Sequence, residues 1–391
     1  MTTLSEACQI VLNSVPWPSV EQINFSHSLN RILADDIISD TDIPSFNRSA
    51  VDGYACRQQD AGCELEVMET IPAGKEPQKI IYEGQCSKIM TGAMIPEGAD
   101  CVLMVEDTII TRDNRIRFTG SVVTSNIRFR GEEVKKGQVV LFKGTRIRPQ
   151  EIAVMAAVGC ISPFVSRQVK TGIISNGDEL VEPYFEPGCS KIRNSNAWQL
   201  MAQVTETGAL PFYCGIAEDD EVSTIHVIER ALISNDTIII TGGVSMGDYD
   251  YVPAILHKAG FRILINSISI QPGRPTVFAV RENKFIFGLP GNPVSSFVIF
   301  ELLVKPFLFR MMGHDFTPQT TRLELKDGFK RKKTDREKWI PVKHTSNYLA
   351  EIVEYHGSAH IHALTDADGL ICIPAGVSEI KPGETVNVRQ I

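Results

Sequence analysis

The chain has no Cys-x-x-Cys pair: its nine cysteines, an odd number, lie scattered at Cys8, Cys56, Cys63, Cys86, Cys101, Cys160, Cys189, Cys214 and Cys372. That spacing offers neither a disulfide framework nor a thiolate zinc knuckle, so reduced thiols in the cytoplasm are expected. A basic excess is missing too. Lys and Arg number 39 against 47 Asp and Glu, a net charge of −8, which argues against a nucleic-acid partner because phosphate-backbone binding needs a basic face. A small anion can still be held locally. Long apolar runs are also lacking. The most apolar late stretch, "VSSFVIFELLVKPFLFRMM", is broken by Glu301, Lys305, Pro306 and Arg310 and reads as a buried helix, not a membrane span. The opening "MTTLSEACQIVLNSV" lacks the basic start and continuous apolar core of a signal peptide; Ala7, Ile10 and Val11 predict an amphipathic helix after a Ser5 cap, and no export is expected. Two glycine-loop fingerprints are absent as well. "GGVSMG" is not GxGxxG, and Gly247 is followed by Asp248 where a P-loop has lysine, so neither a dinucleotide-dependent dehydrogenase nor a P-loop kinase is indicated.

What is present is a turn-rich globular composition, with 43% hydrophobic residues, 29 glycines and 21 prolines in 391 residues, long enough for roughly two to four domains. Four textures follow one another. Residues 1–38 read as helical, and helical character returns at "RPQEIAVMAAVGC", so 1–38 and 138–169 are assigned to one helical linker domain. Between them, 39–137 holds short β runs such as "CVLMVEDTII" and "IRFTGSVV" separated by turns, an inserted β-rich domain. From 170 to 315 strand and helix alternate: "VKTGIIS", a helix with Ala197, Leu200, Met201 and Val204, "PFYCGI", a helix with Val222, Ile225, Ile228 and Leu232, then "TIII". The expectation is a doubly wound, mostly parallel α/β domain. Short strands return in 316–391, consistent with a small C-terminal β-barrel. The fold class is thus multi-domain α/β.

In an open parallel sheet the ligand sits beyond the carboxyl ends of the strands, and here every loop at those ends is unusual. "SNGDEL" supplies Asp178 and Glu179, and "GIAEDD" supplies Asp219 and Asp220. "TGGVSMGDYD" supplies Gly242, Gly243, Ser245, Gly247, Asp248 and Asp250, and "GLPGNPVSS" supplies Pro290, Gly291, Asn292 and Pro293. Glycines let main-chain N–H groups approach a ligand's oxygens, so phosphate is the expected guest. Neighbouring acids would repel a bare phosphate, a conflict that Mg²⁺ resolves by bridging carboxylate to phosphate oxygen. Any one of these loops alone reads as ordinary turn chemistry; four on one rim read as a site.

The segments "NRSAVDGYA", "IMTGAMIPEGAD", "IRFRGEE", "SNGDEL", "TGGVSMGDYDY", "QPGRP" and "GLPGNPVSS", in this order over nearly the whole chain, resemble the molybdopterin molybdenumtransferases. These are molybdenum insertases of the MoeA type, and the chain is also similar to the carboxy-terminal domain of gephyrin. The resemblance implies a four-domain chain in an elongated homodimer and a Mg²⁺-dependent reaction in which molybdate enters adenylylated molybdopterin with release of AMP. It further implies that Asp52 and Thr91 line the cleft from the partner subunit, that Glu179, Asp219 and Asp250 serve substrate or metal, and that Pro290 and Pro293 shape their loop. No protein nucleophile is required. Molybdate calls for cationic and N–H contacts, for which the resemblance offers Arg274, Arg336 and Ser358. The sequence departs from the family at that point. Gln271 stands where a lysine is common, Asn266 and Ser267 where a second lysine lies, Pro341 where an arginine is frequent, Asn194 for an aspartate and Glu133 for an aspartate. An upstream adenylyltransferase and molybdoenzyme acceptors are the implied protein partners. Two other readings remain open: a molybdopterin adenylyltransferase, and a non-enzymatic dimeric scaffold of gephyrin type.

Three further features carry less. His356, His360 and His362 form a dense cluster, but without cysteine and with only His360 and His362 on one side if "AHIHA" is extended, they read as exposed loop histidines beside an anion rather than as metal ligands. Arg331, Lys332 and Lys333 read as a solvated basic loop. Cys56 lies near Asp52, yet no histidine is near it in sequence, and a small packed side chain suffices.

Overall fold

The computed structural model describes residues 1–112, 114–244, 252–354 and 357–391. Its first helix, Leu4–Asn13, begins at a different cap from the one expected. Thr3, not Ser5, is the N-cap. The Glu6 N–H donates to Thr3 Oγ1 at 3.3 Å, and the Thr3 N–H donates to Glu6 Oε2 at 2.8 Å. A carboxylate three residues after a threonine satisfies two orphan donors reciprocally, and that advantage sets the start. Helix does not extend through 1–38. Pro16 and Pro18 follow the first helix, and the chain then runs extended, with Val20–Gln22 pairing Phe164–Ser166 and Ile37–Ile38 pairing Val139–Leu141. Leu33 and Ile37 bury against Ile147, Met155, Val158 and Val165, so the two separated stretches share a small core around the helix Pro149–Ala157.

The intervening segment forms a six-stranded sheet in the spatial order Cys101–Met104, Gly53–Cys56, Gln85–Ile89, Glu64–Ile71, Arg115–Phe118, Thr108–Ile110. Gly53 has no room for a side chain, since a Cβ there would sit 2.0 Å from the Leu103 carbonyl oxygen. That tight crossing fixes where Asp52 leaves the sheet.

The α/β unit contains β1 (Lys170–Asn176), β2 (Leu210–Ala217), β3 (Thr237–Thr241), β4 (Arg262–Ile265), β5 (Val277–Arg281) and β6 (Lys284–Leu289), in the order β2-β1-β3-β6-β5-β4. The first four of that order are parallel, and β5 and β4 complete the sheet antiparallel. Its helices are α1 (Asn196–Glu206), α2 (Glu221–Ser234), α3 (Val252–Lys258) and α4 (Pro293–Ile299). The period-2 alternation of β3 divides the core. Ile239 faces α1 residues Leu200 and Val204 and the phenylalanines Phe278, Phe285 and Phe287; Ile238 and Ile240 face α2 and α3 residues Ile228, Leu232, Ile255 and Leu256. Helices therefore cover both faces, as expected of a doubly wound sheet. Val222 departs from its expected place. It is exposed in the first turn of α2, whose buried face begins at Thr224 and continues through Ile228, Ala231 and Leu232.

The apolar stretch after α4 is indeed buried. It passes through a π-turn, Phe300–Val304, into a further helix, Lys305–Met311. Pro306 has no N–H to give the Leu302 carbonyl, which instead accepts from the Cys8 thiol at 3.6 Å. Glu301 and Lys305 are both buried and pair with each other at 2.9 Å. At the C-terminus the strands Thr320–Leu325, Glu337–His344, Leu349–Ile352, Gly369–Ile373 and Thr385–Gln390 close into a five-stranded barrel. The two-residue strand Ile270–Gln271 adds to it in parallel, with Gln271 directly opposite Lys338. "AHIHA" is not extended: His360 caps a 3-10 turn, Ile361–Asp366, because Gly357 and Ala359 carbonyls accept from His360 and Ile361. His356 lies outside the described residues.

Candidate functional site

The strand order reverses at β1, with β2 on one side and β3 on the other, and this is where the carboxyl-end loops open a crevice. A cavity of about 320 Å³ there is edged by Asn176, Gly177, Glu179 and Asp219 from the β1 and β2 loops, by Gly242 and Gly243 after β3, and by Pro290, Gly291 and Asn292 after β6. Three of the four expected loops thus meet at described residues, together with the first part of the fourth. Gly242 has φ +94°, and a Cβ there would stand 2.2 Å from the Asn176 carbonyl oxygen. Only glycine lets β3 turn so close to β1.

Buried amides hold these loops together. Asn176 Nδ2 donates to Asp219 Oδ1 at 2.7 Å, while Asn176 Oδ1 accepts from Thr224 Oγ1 at 3.1 Å. Asp178 and Asp219 each accept the other's main-chain N–H, at 3.0 and 3.2 Å. Asn196, at the start of α1, donates to Thr241 Oγ1 at 3.0 Å and to the Gly291 carbonyl at 2.6 Å, fastening the β3 and β6 loops to one helix. Asp220 is occupied differently from its neighbour. It caps α2, accepting from the Ser223 N–H at 2.8 Å.

A second cavity, about 440 Å³, adjoins the first and shares Pro275, Pro290 and Asn292 with it. Arg274, Arg336, Lys338, Gln271 and Ser358 line it, and among the described residues no carboxylate does. Asn292 Nδ2 donates to Ser358 Oγ at 2.9 Å, and the Val294 N–H donates to the Ser358 carbonyl at 3.1 Å, joining α4 to the barrel segment. Burial holds the Lys338 ammonium below its ordinary pKa, with Arg331 adding to the effect. Charge is therefore segregated across the shared prolines: acids and glycines on one side, cations on the other. An anion with two chemically different ends fits such a pair. A larger cleft of about 810 Å³ lies between Lys143–Arg148, His314 and the C-terminus, and none of the expected site residues that are described lines it.

The remaining expected residues fall in three groups. Asp52 and Thr91 meet each other on the inserted sheet, where Asp52 Oδ1 accepts from the Thr91 N–H at 2.6 Å and from Thr91 Oγ1 at 2.7 Å. The first of these bonds, then the second, holds the Asp52 carboxyl below its ordinary value. Neither residue lines the two cavities. Pro293 is the first residue of α4, where its fixed φ and missing N–H are suited. Ser245, Gly247, Asp248 and Asp250 lie outside the described residues. Among the described residues no group of three or more His, Cys, Asp or Glu side chains is placed to hold a metal; Glu179 and Asp219 are the two hard-oxygen donors of the set that share the first cavity.

Sequence reasoning missed Asn176, Asn196 and Lys338. Asparagines next to strand ends are a usable signal for such buried ties, whereas nothing local to "DREKWIP" marks Lys338. Of the basic run, Lys332 and Lys333 are exposed, in keeping with a solvated loop, and Arg331 alone departs from that reading. Arg331 reaches the carbonyls of Val377, Arg336 and Pro374 at 2.8, 2.8 and 2.6 Å and clamps the barrel end. Cys56 is fully buried with its thiol 3.6 Å from that of Cys101, a contact that together with burial pushes it up, away from nucleophilic character.

Models of known families match along the chain: the MoeA N-terminal region (domain I and II) over 2–159, a probable molybdopterin binding domain over 172–310, and the MoeA C-terminal region (domain IV) over 322–391. The chain is similar to a protein of Bacillus subtilis strain 168 named molybdopterin molybdenumtransferase, 37% identical over 405 residues that cover 99% of this chain and 94% of that one. A Staphylococcus epidermidis protein of the same name is 37% identical, covering 94% and 90%. Among solved structures, the molybdopterin biosynthesis moeA protein from Pyrococcus horikoshii OT3 superposes over 100% of both chains with a TM-score of 0.86 at 31% identity.

Proposed function

The chain belongs to the MoeA family of molybdenum cofactor biosynthesis, and from that premise we propose that it inserts molybdate into adenylylated molybdopterin with release of AMP. The observation that carries this reading is the pair of adjoining cavities with opposite charge that meet at Pro290 and Asn292. The glycine-lined cavity suits the diphosphate. Gly242 and Gly243 bring main-chain groups near its oxygens, and Glu179 and Asp219 would hold Mg²⁺ against them, with Asp250 as the expected third acid. Held there, Mg²⁺ would offset the charge of the diphosphate and polarise the bond whose breaking frees AMP. The cationic cavity suits the tetrahedral oxyanion, for which Arg274 and Arg336 supply charge and Ser358 a hydroxyl donor. Pro290 and Pro293 keep the loop between the two rigid.

A homodimer completes the reading. Asp52 and Thr91 line neither cavity of their own chain, and β2 is a sheet edge bearing exposed Leu210 and Phe212, a surface that invites cover by a second copy. Nine free thiols, Cys63 and Cys189 among them exposed, agree with a reducing cytoplasm. No helix among the described residues is long and apolar enough to cross a membrane.

Incubating the protein with adenylylated molybdopterin, molybdate and Mg²⁺ tests the proposal. AMP release that depends on molybdate and disappears with a chelator supports insertion. Consumption of ATP with molybdopterin would instead identify an adenylyltransferase, and neither activity would leave a scaffold.

A further inference from the structure

We propose that Lys338 supplies the cation that position 271 lacks, so that the oxyanion is held by Arg274, Arg336 and Lys338 together. This rests on the reading of the second cavity as the molybdate site. Gln271 and Lys338 are direct register partners of the parallel pair that joins Ile270–Gln271 to Glu337–His344, and both line that cavity. A positive charge on either strand at this rung therefore reaches the same space. Neighbours on one face of a strand alternate, and the residues two and four beyond Lys338, Ile340 and Val342, fill the barrel core. Lys338 thus stands at the open end of the barrel's inner row, where it lines a cavity that Arg274, Pro290 and Asn292 of the α/β domain also line.

Its surroundings leave its charge without a carboxylate partner among the described residues. Its ammonium lies 5.0 Å from the Phe329 ring centroid, a cation–π contact that orients the side chain without neutralising it. Arg331, anchored on main-chain carbonyls, acts on it with like charge, while Arg274 and Arg336, the latter paired with Asp335 at 3.3 Å, line the same cavity. Partial burial beside the Arg331 guanidinium is unfavourable for an ammonium until an anion arrives. That cost is relieved only on binding. The direction of its pKa agrees with this arrangement.

Equilibrium dialysis with molybdate alone reads the proposal directly. Lys338→Met keeps an unbranched side chain and removes the charge, and is expected to weaken molybdate binding by about tenfold or more. Lys338→Arg should remain within about threefold of the wild type, and the double variant Lys338→Met with Gln271→Lys should recover to a similar level because the charge returns on the opposite strand. The KM for adenylylated molybdopterin should not move in any of them. Unchanged molybdate binding in Lys338→Met overturns the assignment. So does failure of both Lys338→Arg and the double variant to restore binding in chains that melt at the wild-type temperature. Absence of molybdate binding in the wild type likewise overturns it. The proposed insertion activity fails separately, if the wild type binds molybdate but releases no AMP.

Discussion

At the scale of single residues, the two kinds of charged group in this chain are held by different forces. Asp52 is exposed and owes its depressed pKa to two short bonds from Thr91, the main-chain N–H first. Thr91→Val removes the hydroxyl bond, and the Asp52 carboxyl, followed by NMR titration, should rise toward its ordinary value of 3.8. The sign follows from linkage: a depressed carboxyl contributes above the unfolded value and loses that contribution as pH falls through the folded one, so the effect is confined to pH below about 4. Glu301 is the opposite case. Its carboxylate is buried, accepting from Lys305 at 2.9 Å and from Gln203 Nε2 at 3.1 Å. Removing one partner strands the other charge, so Glu301→Ala should lower stability by about 3–5 kcal/mol in urea unfolding, with no direct effect on either cavity.

At the scale of elements, legibility depended on how local the physics was. The strands "VKTGIIS" and "TIII", the helix from Ala197 to Val204 and the buried stretch after Pro293 could be read from periodicity, because a strand or helix between two layers must show an apolar pattern. The rim loops were legible because glycines and acids at strand ends have few other uses. The Ser5 cap and the long first helix misread the start, where one reciprocal bond of Thr3 and Glu6 and two following prolines decide the outcome. Lys338 was invisible for another reason. Its partnership with Gln271 spans 67 positions and exists only through strand register, which no local pattern encodes. The β3 turn gives a test at this scale. Gly242→Ala forces a side chain toward the Asn176 carbonyl at positive φ, and should cost about 2 kcal/mol or more and depress AMP release. Gly188→Ala, with open space around it, should leave thermal melting and AMP release unaltered.

At the scale of the whole molecule, the separation of Asp52 and Thr91 from both cavities of their own chain makes a prediction about shared sites. In mixed dimers made by co-expressing Asp52→Asn and Asp219→Asn chains, one of the two clefts receives an intact set. Such heterodimers should show about half the wild-type AMP release, whereas each parental homodimer is inactive. Inactive heterodimers would place Asp52 outside the partner's cleft. The π-turn carries a broader consequence. The thiol of Cys8, in the first helix, and the guanidinium of Arg389, in the last strand, both donate to it, at Leu302 and Glu301 respectively. A helix and a strand more than 370 positions apart are thus tethered to one irregular turn, so loss of either donor would strip a tie from the platform on which the reactive rim is built.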